Sequence, residues 1–463
     1  MNLSTAPRMS TAACPLVALI GRPNVGKSTL FNRITRSRDA IVDPTPGVTR
    51  DRHYAQASWE EQSFMLVDTG GIEDEDSDNF SSHIRHQAMQ AMDEADIIIL
   101  LLDGRQGVMP GDHELVELLR RTDKTVFFAV NKIDAPNIEN ELLAPFWELG
   151  VDQLWALSAD HSYGFSTLMN ALAEKLGQTE APPPLPENTI RLAFLGRPNV
   201  GKSSMINAIM GQERMIVSEV AGTTRDAVDT MLSADKHNYL LIDTAGIRRK
   251  GKTQDKLEKF SILKALKSLS RCDIAAVLID AQEGITEQDT KVIGYTQEQG
   301  RALLLLINKW DLIEGDKKRQ EQLLAAVEEA VKFIPFAPVF KVSAKTGSGI
   351  KRLFPEMGKM HRQFHQRFPT AALNRLLEDA KTQHPPPMHH GRRLKLYYTA
   401  QISSAPPTFA VIANYPEDIH FSYQRYLTNR FREGLGLDRV PLRLFFRERS
   451  GRDKDKGGKK AAD

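Results

Sequence analysis

The chain of 463 residues is short of cysteine, of long apolar runs and of net charge. Its two cysteines, Cys14 and Cys272, lie 258 positions apart, which excludes a disulfide framework or a cysteine zinc site and suits a reducing, cytoplasmic compartment. The longest apolar run, Ile97 to Leu102, is far below the ~20 residues of a membrane span. The amino terminus lacks the basic-then-apolar profile of a signal peptide, so a soluble, unexported protein is expected. The net charge is only +2, yet its distribution is lopsided: residues 1–180 carry −12, residues 181–355 carry +5 and residues 356–463 carry +9. That gradient points to a polyanion partner for the carboxyl half. Charged residues at 26% and hydrophobic residues at 41% sit near the globular norm, which excludes wholesale disorder, collagen-like repeats and a coiled-coil rod. The length allows about three domains.

What the chain does have is an internal repeat. LVALIGRPNVGKSTLFNRI, from Leu16 to Ile34, returns as LAFLGRPNVGKSSMINAI from Leu192 to Ile209, with GRPNVGKS displaced by 175 positions. The same displacement carries Thr49-Arg50-Asp51 to Thr224-Arg225-Asp226 and Asp68-Thr69 to Asp243-Thr244. It drifts to 177 between Asn131 and Asn308 and to 185 between Ser158 and Ser343, as loop insertions between matched elements would make it. The period is too long for a solenoid unit and implies two whole domains of one fold. The expected organisation is a disordered leader at 1–14, a first domain at 15–177 and a proline-rich linker at 178–189. A second domain at 190–355, a small α/β domain at 356–447 and a basic disordered tail at 448–463 complete it. In the small domain, helix is expected at Leu373 to Lys381 and around Tyr423 to Glu433, and strand at Leu394 to Ile402, Thr408 to Ala413 and Val440 to Phe446.

Gly21-Arg22-Pro23-Asn24-Val25-Gly26-Lys27-Ser28 follows the apolar run Leu16 to Ile20 and precedes a helical pattern at Thr29 to Ile34. A buried strand, a glycine turn of converging N–H groups and a helix N-terminus form a phosphate loop. In it Lys27 reaches the β and γ phosphates and Ser28 ligates Mg²⁺. Gly196-Arg197-Pro198-Asn199-Val200-Gly201-Lys202-Ser203 repeats the arrangement. About 41 residues beyond each lysine come Asp68-Thr69-Gly70-Gly71-Ile72 and Asp243-Thr244-Ala245-Gly246-Ile247. There Asp68 and Asp243 can hold Mg²⁺, and the Gly71 and Gly246 N–H groups can sense the γ-phosphate. Asn131-Lys132-Ile133-Asp134 and Asn308-Lys309-Trp310-Asp311 follow apolar strands. Their acceptor-only aspartates suit the ring N–H and exocyclic amine of guanine, a donor pair that adenine lacks. Ser158-Ala159 and Ser343-Ala344 would contact the base carbonyl through their backbone.

With these elements in order, twice, the chain resembles the bacterial double-GTPase-domain family EngA, also called Der, of the Era-like translation-factor GTPase group. The resemblance covers everything but the leader and tail. It implies an α/β fold of two tandem P-loop GTPase (Ras-like) domains followed by a small α/β KH-like domain, with GTP or GDP in both GTPase domains. It also implies a role in assembly of the large (50S) ribosomal subunit through its rRNA, for a protein expected to be a cytoplasmic monomer. Thr49 and Thr224 sit where a switch threonine reaches Mg²⁺ and the γ-phosphate. Where Ras-like enzymes carry a water-orienting glutamine, this chain has Ile72 and Ile247. Hydrolysis is then either slow or completed by another group, K⁺ or a partner. In related GTPases the asparagine equivalent to Asn24 and Asn199 helps hold a potassium ion. Arg50 and Arg225 are open to roles as internal fingers or as switch structure.

An acidic run, Glu73 to Asp78, follows the first DTxG motif, and a basic one, Arg248 to Lys252 with Lys256 and Lys259, follows the second. These read equally as solvated faces or as surfaces that meet RNA or another domain. In the last domain Arg392, Arg393, Lys395, Tyr397, Tyr398, Tyr423, Arg425, Tyr426, Arg430, Arg432, Arg439, Arg443, Arg447 and Arg449 interleave charge with rings. That suits backbone neutralisation and some stacking on RNA, or a core with a basic rim. No GXXG loop is present, which favours recognition of RNA shape and phosphate over base reading. His389-His390 is expected in an exposed loop, and Cys14 and Cys272 are expected to be inert. A nucleotide-stabilised RNA-binding scaffold with negligible turnover is the alternative reading. A tRNA-modification GTPase would carry one GTPase copy and a cofactor domain.

Overall fold

A computed structural model of the chain describes residues 15–36, 54–60, 62–69, 85, 88–89, 91–177, 185–186, 188–211, 216–220, 229–234, 237–244, 262–386, 388–389 and 392–448. Of Ile216–Val220, His389 and Arg392–Arg393 it describes the backbone alone. The described residues fall into two compact units: one is built on the first repeat, with Ile262–Arg271 grouped with it, and the other joins the rest of the second repeat to the C-terminal elements.

The first sheet runs β2-β3-β1-β4-β5-β6. Its strands are β1 (Leu16–Ile20), β2 (Tyr54–Trp59), β3 (Gln62–Asp68), β4 (Ile97–Asp103), β5 (Thr125–Asn131) and β6 (Leu154–Ala156). All neighbours are parallel except β2 against β3. The run Ile97 to Leu102 is buried on both faces, as a central parallel strand between helical layers must be. Two cores follow from this. Val17, Leu19, Ile99 and Leu101 pack on one face, and Ala18, Ile20, Ile98 and Leu100 on the other, so alternate residues of each strand serve opposite layers. Strand order reverses at β1, between β3 and β4. That is the switch point where open α/β sheets bind ligands at the carboxyl ends of their strands.

The second sheet, β13-β12-β11-β7-β10-β9-β8, repeats this order with β7 (Thr189–Leu195), β9 (Asp229–Ala234), β10 (His237–Ile242), β11 (Ile274–Asp280), β12 (Ala302–Asn308) and β13 (Val339–Lys341). It adds an edge strand, β8 (Ile216–Val220), with no counterpart among the described residues of the first. One face of this sheet shares a continuous core with the C-terminal elements, running from Ile190, Leu192 and Tyr239 through Met357 and Phe364 to Phe409 and Phe431. The helix Leu353–Phe364 bridges the two parts, and Tyr239 meets Phe354 edge-on at 5.5 Å.

The C-terminal domain places the helices Thr370–Gln383 and Phe421–Leu435 with a three-stranded sheet of β16 (Leu396–Ser404), β17 (Pro407–Ala413) and β18 (Arg443–Glu448), while β14 (Met388–His389) and β15 (Arg392–Arg393) form a separate ribbon. β17 pairs antiparallel with β16 and parallel with β18. The expected last strand at Val440 to Phe446 begins later, at Arg443. Val440 and Leu442 are buried as core plugs ahead of the ladder, so their apolar character reflects packing and not strand. Glycine at 434 has a packing reason: a Cβ there would stand 2.5 Å from Leu376 Cδ1, so the two helices touch closely. Gly436 ends its helix in the left-handed conformation.

Candidate active sites

Each phosphate loop leaves the buried strand at the switch point and enters a helix, Lys27–Arg36 or Lys202–Met210. Three residues in each loop take positive φ: 150°, 64° and 101° at Gly21, Asn24 and Gly26, and 142°, 63° and 96° at Gly196, Asn199 and Gly201. The glycines are also needed for space. A Cβ on Gly26 would lie 2.3 Å from Asn131 Nδ2, and one on Gly201 would lie 2.4 Å from Asn308 Nδ2. The loop therefore presses on the NKxD motif directly.

That contact is built on hydrogen bonds. Asn131 Nδ2 donates to the Val25 carbonyl at 2.8 Å while its Oδ1 accepts from the Ala159 N–H at 2.9 Å. Asn308 does the same with Val200 at 2.7 Å and Ala344 at 3.0 Å. The first asparagine of NKxD thus ties the phosphate loop to the serine–alanine loop. Lys27 Nζ donates to the carbonyls of Gly21 and Arg22 at 2.9 and 2.8 Å, and Lys202 to those of Gly196 and Arg197 at 2.9 and 2.7 Å. Each ammonium is held under the arch of its own loop, where phosphate oxygens would meet it. Burial pulls the Lys27 pKa down, and the nearby Asp68 charge offsets part of that.

The two copies differ at the DTxG aspartate. Asp68 ends β3 and accepts from Ser28 Oγ at 2.9 Å, which brings the two expected Mg²⁺ ligands to one point; their hard oxygens fit that ion. Asp243 lies just past β10 at φ 59°, and its N–H donates to Asp229 Oδ1 at 3.1 Å. Thr69 Oγ1 donates to the Leu19 carbonyl at 2.7 Å, whereas Thr244 Oγ1 lies 2.8 Å from Thr230 Oγ1. Ser203 opens its helix as Ser28 does. Asn24 and Asn199 both lie exposed on the loop crest.

The base-reading ends differ too. Asp134 accepts from Ser158 Oγ at 2.7 Å and pairs with Arg105 at 2.5 Å; the Ser158 bond, aided by Arg105, holds its carboxyl below the ordinary range. Asp311 Oδ1 is buried without a hydrogen-bond partner among the described residues. Gln282 stands at the position equivalent to Arg105, at the displacement of 177 that relates Asn131 to Asn308. Ile133 is fully buried, while Trp310 is half-buried with the Lys341 ammonium 4.7 Å from its ring centroid.

Several residues of this architecture escape motif reading. Lys132 and Lys309 bond Asp103 and Asp280 at 2.5 and 2.6 Å, the aspartates that end β4 and β11. Arg22 forms a two-pronged pair with the fully buried Asp112 at 2.8 and 3.1 Å, and Arg197 Nε donates to both oxygens of the fully buried Asp289 at 3.0 Å. These arginine side chains therefore brace the loop from behind, and only their backbone faces the lysine. The signal was in the repeat: Asp103 to Asp280 and Asp112 to Asp289 both span 177.

Thr49, Arg50, Gly70, Gly71, Ile72, Thr224, Arg225, Ala245, Gly246 and Ile247 lie outside the described residues, as do the switch charge runs, Cys14, His390, Arg449 and the expected leader and tail. In the C-terminal domain the expected interleaving resolves into two groups. Tyr423 and Tyr426 belong to the core and its edge, their hydroxyls donating to the carbonyls of His384 and Ala380 at 2.9 Å. Arg432 caps the carbonyls of Leu437 and Val440, and burial lowers its pKa to about 10. Arg443 reaches the Glu298 carbonyl at 2.6 Å. Lys395, Tyr397, Tyr398, Arg425 and Arg447 are exposed.

A family model described as "50S ribosome-binding GTPase" matches residues 16–132 and again 191–309, and one described as "KH-domain-like of EngA bacterial GTPase enzymes, C-terminal" matches 367–447. The chain is 47% identical over 460 residues to GTPase Der of Desulforapulum autotrophicum, covering 97% of this chain and 93% of that one. It is 48% identical to GTPase Der of Syntrophobacter fumaroxidans over 438 residues, covering 94% and 98%. Against GTPase Der of Geobacter metallireducens it is 46% identical over 439 residues, covering 95% and 100%. Two phosphate loops of one geometry, each tied to its own NKxD motif ahead of a small C-terminal α/β domain, agree with that kinship along almost the whole chain, which belongs to the Der (EngA) family of GTP-binding GTPases with two P-loop GTPase domains and a KH-like domain.

Proposed function

We propose that this GTPase acts in maturation of the large ribosomal subunit, with the nucleotide state of two GTPase domains, 15–177 and 190–355, setting how the 356–447 domain and its neighbours engage rRNA. The observation that carries the reading is the doubling of one phosphate loop tied to an NKxD motif ahead of a KH-like domain whose exposed residues include Lys395, Arg425 and Arg447. Mg²⁺ would be held by Ser28, Thr49 and Asp68 in the first domain and by Ser203, Thr224 and Asp243 in the second. The Ser28–Asp68 contact supports the first of these sets. Thr49 and Thr224 close on the γ-phosphate, and the Gly71 and Gly246 N–H groups sense it. Turnover is slow, because Ile72 and Ile247 cannot orient water, and K⁺ held with the help of Asn24 and Asn199 speeds it by neutralising charge on the transferring group. The exposed side chains of both asparagines support that placement. The protein works as a cytoplasmic monomer; no helix among the described residues is long and apolar enough to cross a membrane.

Phosphate release measured in K⁺ and in Na⁺, with and without 50S particles, tests this reading. Slow release that rises several-fold in K⁺, and loses that rise in the Asn24→Ala/Asn199→Ala variant, is expected. Equal release in both salts would remove potassium from the account. The two isoleucines favour a second reading, a nucleotide-stabilised RNA-binding scaffold, and absence of release under every condition would select it.

A further inference from the structure

Outside the phosphate loop and NKxD motif of its own unit, three potential metal ligands converge on the seam between the second GTPase sheet and the helix that leads into the C-terminal domain. His361 lies near the end of the helix Leu353–Phe364 and His365 caps it, one turn further on. Their rings stand side by side with centroids 4.4 Å apart. Facing them is Asp273, buried at the start of β11. One atom from each of the three lies within 4.8 Å of the other two.

Two further observations mark the cluster as more than an ion pair. His365 Nε2 is buried and has no hydrogen-bond partner among the described residues; Asp273 Oδ1 stands 3.7 Å away, beyond hydrogen-bond reach. Asp273 is also clamped from behind. Its oxygens accept from Arg191 Nε, Nη2 and N–H at 2.6 to 3.2 Å, which fixes the carboxylate with Oδ1 toward the histidines. Burial alone would raise the Asp273 pKa, but His365 and Arg191 outweigh it and hold the group ionised. An oriented anionic oxygen beside two imidazoles one helical turn apart is a donor set of borderline softness.

We propose that Asp273, His361 and His365 form a divalent transition-metal site of the zinc class, which staples the helix Leu353–Phe364 to the second GTPase sheet. Ligand distances of about 2.0–2.2 Å require the three atoms to close by about an ångström, within reach of side-chain torsions. Three protein ligands would leave the fourth position of a tetrahedral site to water. The neighbouring Arg191 charge opposes a cation, so binding is weaker than at a thiolate site, and Zn²⁺ is favoured over Mg²⁺ because imidazole is a poor ligand for the harder ion.

The test is Co²⁺ titration of the full chain saturated with GDP and Mg²⁺, read by the visible absorption of imidazole-ligated cobalt and followed by displacement with Zn²⁺. One cobalt per chain with a visible band that zinc abolishes is expected, together with a rise in the melting temperature on adding zinc. His361→Gln and His365→Gln should each weaken binding by about tenfold or more while GDP affinity stays unchanged, which shows that the variants are folded. His389→Gln/His390→Gln should bind as the parent does. No band in the parent protein, or equal binding in the His361 and His365 variants, would overturn the proposal.

Discussion

At the residue scale, the phosphate loops are defined by where a methyl group cannot go. Gly26 and Gly201 combine positive φ with a Cβ position inside 2.5 Å of an asparagine amide. Gly26→Ala should therefore lower guanine-nucleotide affinity at the first site by on the order of ten- to a hundredfold, from about 1–3 kcal/mol of strain. Binding stoichiometry by calorimetry should fall from two to one, and Gly201→Ala should do the same at the other site. The Arg105–Asp134 pair engages the carboxylate expected to read guanine, and domain two has glutamine in place of Arg105. Because Arg105 is mostly exposed, the pair costs nucleotide binding little. Arg105→Gln is expected to tighten GDP binding at the first site by up to about fivefold, and Gln282→Arg to weaken it at the second. Cys272 is fully buried, and burial pushes its thiol up to about 12. In a Cys14→Ser background it should stay unreactive to aromatic disulfide reagents until the protein is unfolded; rapid reaction of the native protein would contradict its placement.

At the element scale, most of what the sequence announces is what a strand or helix announces by itself. The apolar run Leu303 to Ile307 reads as a strand and lies within one, and Ile97 to Leu102, marked only as too short for a membrane span, is also a covered strand of a parallel sheet. The phosphate loop, NKxD and serine–alanine loop were legible because each is local in sequence. The braces were not. Arg22 to Asp112 and Arg197 to Asp289 join residues about 90 positions apart, and nothing local marks an aspartate in a helix's first turn as an arginine's partner and not as a simple cap. The aromatics of the last domain were ambiguous for a related reason. A tyrosine at helical spacing suits a core or an RNA surface, and only packing separates Tyr423 from Tyr398. Asp289→Ala leaves a largely buried guanidinium without its main partner, and should cost the second unit on the order of 3 kcal/mol in chemical denaturation. At Gly434, a Val would overpack the helix pair against Leu376 and cost about 1–3 kcal/mol by the same measurement, whereas Gly436→Ala strains only a left-handed cap.

At the scale of the whole molecule, the scarcity of net charge reflects cancellation between parts. An acidic first GTPase domain precedes a mildly basic second one and a strongly basic end, and the second GTPase sheet shares one core with the KH-like domain. That core is continuous from the second sheet to the helices of the basic domain. The first repeat carries its own phosphate loop and NKxD motif in a separate unit. Two sites of related build and different local bonding are what the proposed dependence of rRNA engagement on two nucleotides would use. The most direct measurement is sedimentation of large ribosomal subunits with the parent chain, Lys27→Ala and Lys202→Ala, each in GTP analogue and in GDP. The expected result is nucleotide-dependent cosedimentation of the parent that either substitution abolishes; variants that cosediment as the parent does in both nucleotides would contradict the claim that both sites govern ribosome binding.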